Sequence, residues 1–242
     1  MIKRKDVLIL KSYSYGNSSK IIHVLTEDSE RISLMAKGAR RTKSRFGGNI
    51  EPLNLSQIVY YIKNEQKMGL LKEAAIKESY LSIKKDLYKL NIAWGILWIA
   101  NKIPDPQDGL FGLESRTLAF LNRNFREEVL IYFLLSLFHL SGVPPKLNKC
   151  VKCDSREVYL FDVTLGGAVC ENCKLETSYR LNNFLNLLYE LKKGRLRVWK
   201  EIVDTERKKI LKILFEYGVY HLGEWLNRLI DILPFEITPK DL

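Results

Sequence analysis

The pattern of apolar and polar residues changes character near residue 80. Before that point the apolar residues come in short runs with strand character, and turn-forming residues such as Gly16-Asn17 and Gly47-Gly48 separate the runs. The five runs are Asp6–Leu10, Lys20–Thr26, Arg31–Ala36, Leu53–Ile62 and Leu70–Ile76. Five short strands in the first third of a chain predict a small closed or partly open barrel.

After residue 80 the apolar residues recur every three or four positions, which predicts helices. The first predicted helix carries an apolar stripe made of Ile83, Leu87, Leu90, Trp94 and Leu97. Four more are predicted over Glu114–Asn124, over Glu127–Leu140, around Leu181–Leu191, and from Asp204 to beyond Trp225. The sequence therefore predicts an α+β fold with a barrel domain over residues 1–80 and a helical domain over residues 81–242.

The four cysteines of the chain form two Cys-x2-Cys pairs, and a spacer of 16 residues separates the pairs. They are Cys150, Cys153, Cys170 and Cys173. Two such pairs at this spacing are typical of a structural zinc site in which four thiolates surround one ion. Within the spacer, the strand-like residues Phe161, Val163 and Val169 and the pair Gly166-Gly167 predict a turn back to the second pair. A zinc module is thus expected at about 147–178, inserted between helices.

Other chemistry is possible for these cysteines but fits the pattern less well. Two disulfides or free thiols remain open, although four clustered cysteines do not resemble the disulfide framework of a secreted domain. A thioredoxin-like redox pair would require a βαβ context, and none is visible. A catalytic zinc ion usually keeps an open position and a histidine or carboxylate ligand, whereas His23, His139 and His221 lie outside the cysteine segment. A structural zinc ion, one per chain, is therefore expected.

The chain is strongly basic, and the excess charge is concentrated in its first third. It has 39 Lys and Arg against 28 Asp and Glu, a net charge of +11. Residues 1–80 contribute 15 basic and 8 acidic residues to this total. Such a balance favours a polyanionic partner, nucleic acid first and an anionic membrane second. The alternative is a generic basic protein from a lysine-rich proteome.

One stretch of the barrel region is the strongest candidate for contacts with DNA. Five basic residues fall within nine positions, and no acidic residue occurs between Glu30 and Glu51. These five residues, called the basic loop below, are Lys37, Arg40, Arg41, Lys43 and Arg45. A small barrel with such a loop is a frequent platform for nucleic acids, single strands in particular. A solvated run of charges is the alternative interpretation.

Two further features could extend this surface. The aromatic residues Tyr13, Tyr15, Phe46, Tyr60 and Tyr61 could offer stacking faces for bases, although for each of them taken singly the sequence favours packing in the barrel over stacking. A second basic cluster, Lys192, Lys193, Arg195, Arg197 and Lys200, precedes the last predicted helix. It could extend a binding face or could belong to a solvated helix end.

Several classes of function lack their sequence signatures. The chain contains neither a Gly-x4-Gly-Lys-Ser/Thr phosphate loop nor a Gly-x-Gly-x-x-Gly turn. Its start, MIKRKDVLIL, has too short an apolar run for a signal peptide, and no apolar stretch approaches the ~18 residues of a membrane span. An intracellular, reducing location and no membrane partner are therefore expected.

Two groups of residues resemble the RecO family of bacterial recombination mediators. The first is Ala36-Lys37-Gly38-Ala39-Arg40-Arg41 with Lys43-Ser44-Arg45-Phe46, preceded by Thr26-Glu27 and Arg31-Ile32-Ser33. The second is Ser136–Pro145 with both Cys-x2-Cys pairs, Phe161-Asp162 and Gly166-Gly167. Together they span most of the chain in the family's order, at similar spacing.

The resemblance implies an amino-terminal OB-fold, a helical domain with a zinc module, and a role in DNA repair and recombination without catalysis. It implies binding to single- and double-stranded DNA and annealing of complementary strands coated with single-strand-binding protein. It also implies cooperation with RecR in loading RecA, in a bacterial cytoplasm. The alternatives are a zinc-dependent nucleic-acid-processing enzyme, which needs an open metal ligand or clustered acids, and a zinc-ribbon transcription factor, which binds specific sequences.

Overall fold

The computed structural model describes residues 1–63, 68–123, 127–181, 185, 188–190 and 204–227. The chain divides into two compact units, Met1–Asn124 and Phe125–Leu242. The first unit contains the predicted barrel, and the second contains the four cysteines. No helix of the described ranges is long and apolar enough to cross a membrane.

Five strands form a closed barrel in the first unit, as the run pattern predicts. They are β1 (Ile2–Tyr15), β2 (Ser19–Thr26), β3 (Arg31–Ala36), β4 (Leu55–Tyr61) and β5 (Met68–Glu78). The order around the barrel is β1-β2-β3-β5-β4, in which β3 and β5 are parallel and the other pairs are antiparallel. A closed five-stranded barrel of this kind is OB-like.

Alternating side chains of the strands fill the barrel. Val7 and Ile9 of β1 and Ile22 and Val24 of β2 are fully buried in this core, since every second residue of a strand points to the same side. Gly69 of β5 lies where the packing is tight, because a Cβ atom there would lie 2.8 Å from Leu34 Cδ2 and 3.0 Å from Tyr61 O. The apolar pattern therefore predicts the strands, but Leu8 and Leu25 are buried as well, outside this barrel core, so the pattern alone does not identify the inward faces of β1 and β2.

Three helices complete the first unit: α1 (Leu81–Lys84), α2 (Leu87–Lys102) and α3 (Leu110–Asn122). The prediction of a single helix from Ile83 is wrong, because α1 ends at Lys84 and α2 begins only after Asp86. The Asp86 carboxylate accepts hydrogen bonds from Tyr88 N and Lys89 N and so caps α2. Only part of the stripe that predicted the helix is buried, since Ile83 and Leu97 are buried whereas Leu87 is 74% exposed and Trp94 is 38% exposed.

Specific hydrogen bonds attach these helices to the barrel. Arg31 of β3 donates to Asn101 O at 2.8 Å and to Pro104 O at 2.9 Å. Phe111 N, in the first turn of α3, donates to Ser29 Oγ at 3.2 Å. The compact unit thus extends beyond the last strand, and a domain boundary after residue 80 stays a prediction.

The second unit combines helices with a small sheet. Among its described residues, the helices and strands are α4 (Glu127–Leu140), β6 (Leu160–Asp162), β7 (Gly167–Val169), β8 (Tyr179–Arg180) and α5 (Asp204–Leu222). The predicted limits of α4 and the predicted start of α5 are confirmed. The extension of the last helix beyond Trp225 is wrong, because α5 ends at Leu222, before Gly223 with φ +111° and a 3-10 turn at Glu224–Leu226. Most of the helix predicted around Leu181–Leu191 lies outside the described residues.

Helix α5 supports the cysteine segment through two side chains one turn apart. The Tyr217 hydroxyl donates to Val143 O at 2.9 Å, and His221 Nε2 donates to Val163 O at 2.8 Å. The Tyr217 ring also packs against Phe161 of β6, with ring centroids 5.8 Å apart. The segment that carries the cysteines is therefore held against α5 by hydrogen bonds and by ring packing.

Candidate metal centre and nucleic-acid interface

The four cysteine sulfur atoms meet at one point of the second unit. All four lie within 4.8 Å of one another, and Cys153 Sγ and Cys170 Sγ are 3.6 Å apart. A disulfide bond requires about 2.05 Å between sulfurs, and the four cysteines are free thiols. Four thiolates at 2.3 Å from one zinc ion form a tetrahedron with edges of roughly 3.8 Å. The 3.6 Å between Cys153 Sγ and Cys170 Sγ is close to that edge length, and the four sulfurs are near enough to one another to share one ion.

Each cysteine pair lies in a tight turn of the backbone. In the first pair, Cys150 N donates to Ser155 O at 2.8 Å and Asp154 N donates to Cys150 O at 3.1 Å. Asp154 itself has a φ of 58°, in the left-handed region. In the second pair, Cys173 N donates to Cys170 O at 3.1 Å, within a 3-10 turn. The turns bring the two sulfurs of each pair to the same side.

A glycine joins the chain before the first pair to the hairpin between the pairs. Gly167 forms a bridge with Lys146, and a Cβ atom at Gly167 would lie 2.2 Å from Lys146 O. Its φ of +154° adds to the restriction. Ala168 N then donates to Lys146 O at 2.7 Å, and Val151 N donates to Ala168 O at 2.9 Å. The predicted turn at Gly166-Gly167 therefore also sets the distance between the two pairs.

The thiols have unequal proton affinities. Burial raises the pKa of Cys150. Hydrogen bonds from the backbone N–H groups of Cys170, Cys153 and Lys152 lower it by a larger amount, so that the pKa is about 6. Hydrogen bonds with the Cys170 and Cys153 sulfurs raise the pKa of Cys173 to about 12. One thiolate thus forms readily, while four adjacent thiolates repel one another unless a cation compensates their charge. This donor set fits a closed structural zinc site.

A buried carboxylate holds the hairpin and the following segment together. Asp162 accepts hydrogen bonds from Leu165 N at 3.0 Å, Thr164 Oγ1 at 2.8 Å, Ser178 Oγ at 2.7 Å and Thr177 Oγ1 at 3.2 Å. Burial raises its pKa, but these four donors outweigh burial and hold the pKa below its usual range. Asp162 therefore stabilises the fold at neutral pH, and this contribution is lost as pH falls through its folded-state pKa.

The basic loop connects β3 with a short 3-10 helix at Gly47–Ile50, and all five of its basic side chains are exposed. Arg40 holds the loop against the turn between β1 and β2, since Arg40 N donates to Ser18 O at 2.8 Å and Arg40 Nη1 to Gly16 O at 3.0 Å. Arg45 lies over the Phe46 ring, with 5.1 Å between its Cζ and the ring centroid. No ion pair within the described ranges involves any of the five. Their charge is available to a ligand.

The candidate stacking residues differ in exposure. Phe46 and Tyr60 are each 1% exposed and belong to the barrel core, so no base can stack on them. Tyr61 is partly buried. Tyr13 is 45% exposed and Tyr15 is 50% exposed. Of the five candidates, Tyr13 and Tyr15 therefore expose the largest fraction of their side chains to solvent.

Two residues next to Tyr13 were not singled out as partners of a ligand. His23 of β2 stacks on Tyr13 with ring centroids 5.5 Å apart, and Ser33 of β3 lies 2.9 Å from His23 Nδ1. Strand register brings them together, because His23 pairs with Lys11 on one side and with Ser33 on the other. The alternation of inward and outward side chains along β1 and β2 was the sequence signal that could have placed these residues on one face.

The second basic cluster, residues 192–200, lies outside the described residues.

Comparisons with known proteins agree with this architecture. Residues 1–80 match the family described as "Recombination protein O N terminal", and residues 102–230 match "Recombination protein O C terminal". Similar proteins include the DNA repair protein RecO of Oceanobacillus iheyensis, 26% identical over 253 residues that cover 98% of this chain and 96% of the relative. The DNA repair protein RecO of Exiguobacterium sp. is 27% identical and covers 89% of both chains. Because the two family matches together span most of the chain, the protein belongs to the RecO family of DNA repair proteins.

Proposed function

We propose that this protein binds single- and double-stranded DNA and anneals complementary strands during repair and recombination. The observation that carries the proposal is the basic loop. Five exposed cationic side chains lie on one loop of a closed barrel, with no acidic residue in the sequence between Glu30 and Glu51. The proposed DNA contacts are Lys37, Arg40, Arg41, Lys43 and Arg45.

Annealing by such a surface needs electrostatics rather than bond chemistry. Two complementary strands repel each other, and cationic side chains that contact phosphates release counterions and reduce this repulsion. The step makes and breaks no covalent bond, so it needs no nucleophile, acid or base. We therefore propose that the protein is not an enzyme.

The proposed cofactor is one structural zinc ion held by Cys150, Cys153, Cys170 and Cys173. When bound, the ion would cross-link the two cysteine pairs and balance the charge of their thiolates. The chain contributes the backbone turns, the close approach of Gly167 to Lys146, and the support of α5. These features are expected to make the metal part of the fold of the second unit.

The proposed partners are RecR, the acidic carboxy-terminal tail of single-strand-binding protein, and, through them, RecA. The RecO family membership supports this set, and the net charge of +11 suits an acidic peptide. The proposed setting is the cytoplasm of a bacterium, with the protein at the nucleoid when it is bound to DNA.

A strand-annealing assay tests the proposal. Complementary oligonucleotides are mixed with the protein without ATP, either naked or coated with single-strand-binding protein, and duplex formation is followed by fluorescence. We expect annealing in both cases, no cleavage of either strand in magnesium, and slower annealing of coated strands when the acidic tail is deleted.

Two other outcomes would move the assignment to a different class. Strand scission would favour a zinc-dependent nucleic-acid-processing enzyme. Tight binding to one sequence, with no annealing, would favour a zinc-ribbon transcription factor. Annealing of coated strands that ignores loss of the acidic tail would contradict the proposed contact with single-strand-binding protein.

A further inference from the structure

The outer face of strands β1 and β2 carries an exposed aromatic surface beside the basic loop. Tyr13 and Tyr15 point to the same side of β1, because they are two residues apart and the irregularity in this strand lies earlier, between Ile9 and Lys11. Both rings are about half exposed. His23 of β2 extends the surface by stacking on Tyr13, at an interplanar angle of 28°.

The Tyr13–His23 pair is held in place by hydrogen bonds on both imidazole nitrogens. His23 Nδ1 lies 2.9 Å from Ser33 Oγ, and His23 Nε2 lies 3.2 Å from the Tyr13 hydroxyl. Burial first, and the charge of Lys11 second, lower the pKa of His23, so the ring is neutral at pH 7. Because both imidazole nitrogens are hydrogen-bonded, the His23 ring has little rotational freedom. Less conformational entropy is then lost when a base stacks on the pair.

A cleft continues the same surface beyond His23. It has a volume of 210 Å³, and its lining includes His23, Arg31, Ser33 and Asn101. Pockets that enclose a drug-sized ligand typically have about 300–1,000 Å³, so this smaller cleft suits one planar ring. The sequence has no acidic residue between Asp6 and Glu27, so β2 and the part of β1 that carries Tyr13 and Tyr15 contribute no negative charge of their own.

The basic loop lies at the other end of this surface. Arg40 is bonded to Gly16 O and Ser18 O of the β1–β2 turn, and Tyr15 immediately precedes that turn. Cationic groups for phosphates and exposed rings for bases are therefore adjacent along one strand. Stacking between neighbouring base pairs covers the base faces in duplex DNA, whereas a single strand can present them to aromatic side chains.

We propose that Tyr13, Tyr15 and His23 form a stacking platform for unpaired bases of a single strand whose phosphates lie on the basic loop. This inference rests on the proposed DNA binding and adds a specific means by which the protein distinguishes single strands from duplexes. The basic loop binds both forms of DNA through charge, while the platform acts only on exposed bases.

The test compares three DNA probes and three variants in the full-length protein. The probes are a thymidine 30-mer, a 30-mer composed of abasic sites, and a 30-base-pair duplex. Tyr13→Ala should weaken binding of the thymidine 30-mer roughly tenfold, since one base–aromatic stack is lost. Tyr13→Phe keeps a ring and should stay within about threefold of wild type. Tyr159→Ala removes a ring that is 48% exposed in the second unit, and it should bind all probes like wild type.

The abasic and duplex probes decide the interpretation. Tyr13→Ala should bind both of them like wild type, because neither probe offers an unpaired base. Equal weakening on all three probes, or no weakening on the thymidine 30-mer, would overturn the platform. Wild-type protein that binds no probe would instead refute the proposed DNA binding itself.

A second measurement needs no variant. Ultraviolet crosslinking of the thymidine 30-mer to wild-type protein, followed by peptide mapping, should give crosslinks in the segment that contains Tyr13 and Tyr15. Crosslinks confined to other tyrosine-containing segments would overturn the proposal even if Tyr13→Ala failed to fold.

Discussion

The buried core cluster of the barrel contains eleven residues, whereas the buried cluster around the cysteines contains four, of which two are cysteines. Phe161 of the same segment is also buried, but its ring packs against Tyr217 of α5. Burial of apolar surface is the main favourable term in folding. The barrel can therefore be stabilised by its own apolar core. The segment that carries the cysteines depends instead on links between the two cysteine pairs and on its contacts with α5. Substitutions should therefore separate the proposed metal binding from the proposed DNA binding, because the cysteines and the basic loop lie in different parts of the chain.

Loss of one cysteine ligand should give the largest effect. Cys170→Ser is expected to abolish stoichiometric metal and to destabilise the second unit by about 4 kcal/mol, which lowers the melting temperature by roughly 10 °C. Metal analysis of protein purified without added metal, and thermal unfolding followed by circular dichroism, measure the two effects. Because the basic loop belongs to the barrel, binding to duplex DNA at low temperature should persist.

Asp162→Asn provides the matched control for this substitution. It keeps all four sulfurs but weakens the hydrogen bonds that join the hairpin to the following segment. Stability should fall by about 1–3 kcal/mol while metal stays stoichiometric. If Cys170→Ser were as stable as wild type and metal-free, the metal would not be structural.

Removal of two charges from the basic loop should weaken DNA binding and leave the segment that carries the cysteines folded. Arg41→Ala with Lys43→Ala is preferable to any variant of Arg40, because Arg40 also braces the β1–β2 turn. Loss of two phosphate contacts should reduce the salt slope by about 1.8 for duplex and about 1.4 for single strands, and should weaken duplex binding roughly 50-fold at 0.1 M salt. Salt titrations with unrelated sequences measure this.

The control for the loop removes equal charge from strands of the same barrel. Arg4→Ala with Lys72→Ala affects exposed residues of β1 and β5, and we expect a much smaller change in the salt slope. Equal slopes for both double variants would mean that only net charge matters. An unchanged slope for the loop variant would make the loop a solvated charge run or a contact for a protein partner.

The sequence predicted most of the architecture because local signals and tertiary packing agreed there. The apolar runs that form β2 and β3 were recognised within a residue of their limits, and the α4 limits were found from its acidic first turn and the Ser141-Gly142 stop. Cysteine spacing alone indicated where four sulfurs would meet. In each case a short segment contains the whole signal.

Two of the errors share a physical cause, which is that the exposure of a side chain depends on distant parts of the chain. Phe46 was a stacking candidate, but it fills the barrel core. The stacked pair of Tyr13 and His23 requires the register between β1 and β2, which a list of aromatic residues does not reveal. The end of α5 at Leu222 has a local cause instead, because the backbone of Gly223 leaves the helical conformation there, and the prediction of a helix past Trp225 did not take this glycine into account.

The smallest expected effect concerns a buried carboxyl group in the barrel unit. Glu114 of α3 is fully buried, and both of its carboxyl oxygens lack a hydrogen-bond partner among the described residues. Burial raises its pKa well above the usual range. The folded state therefore keeps a proton that the unfolded state loses above about pH 4.3, so this group makes the protein less stable as pH rises.

Two substitutions at Glu114 separate ionisation from polarity. Glu114→Gln should remove the pH-dependent cost, so its stability relative to wild type should increase from pH 4.5 to pH 8. Glu114→Leu should add a gain of about 1 kcal/mol at both pH values, because it also removes the unpaired polar atoms. Thermal unfolding at the two pH values measures both effects. A Gln variant that is less stable than wild type at pH 8 would mean that Glu114 is ionised and paired, and the barrel unit would then depend on a buried charge rather than on its apolar core alone.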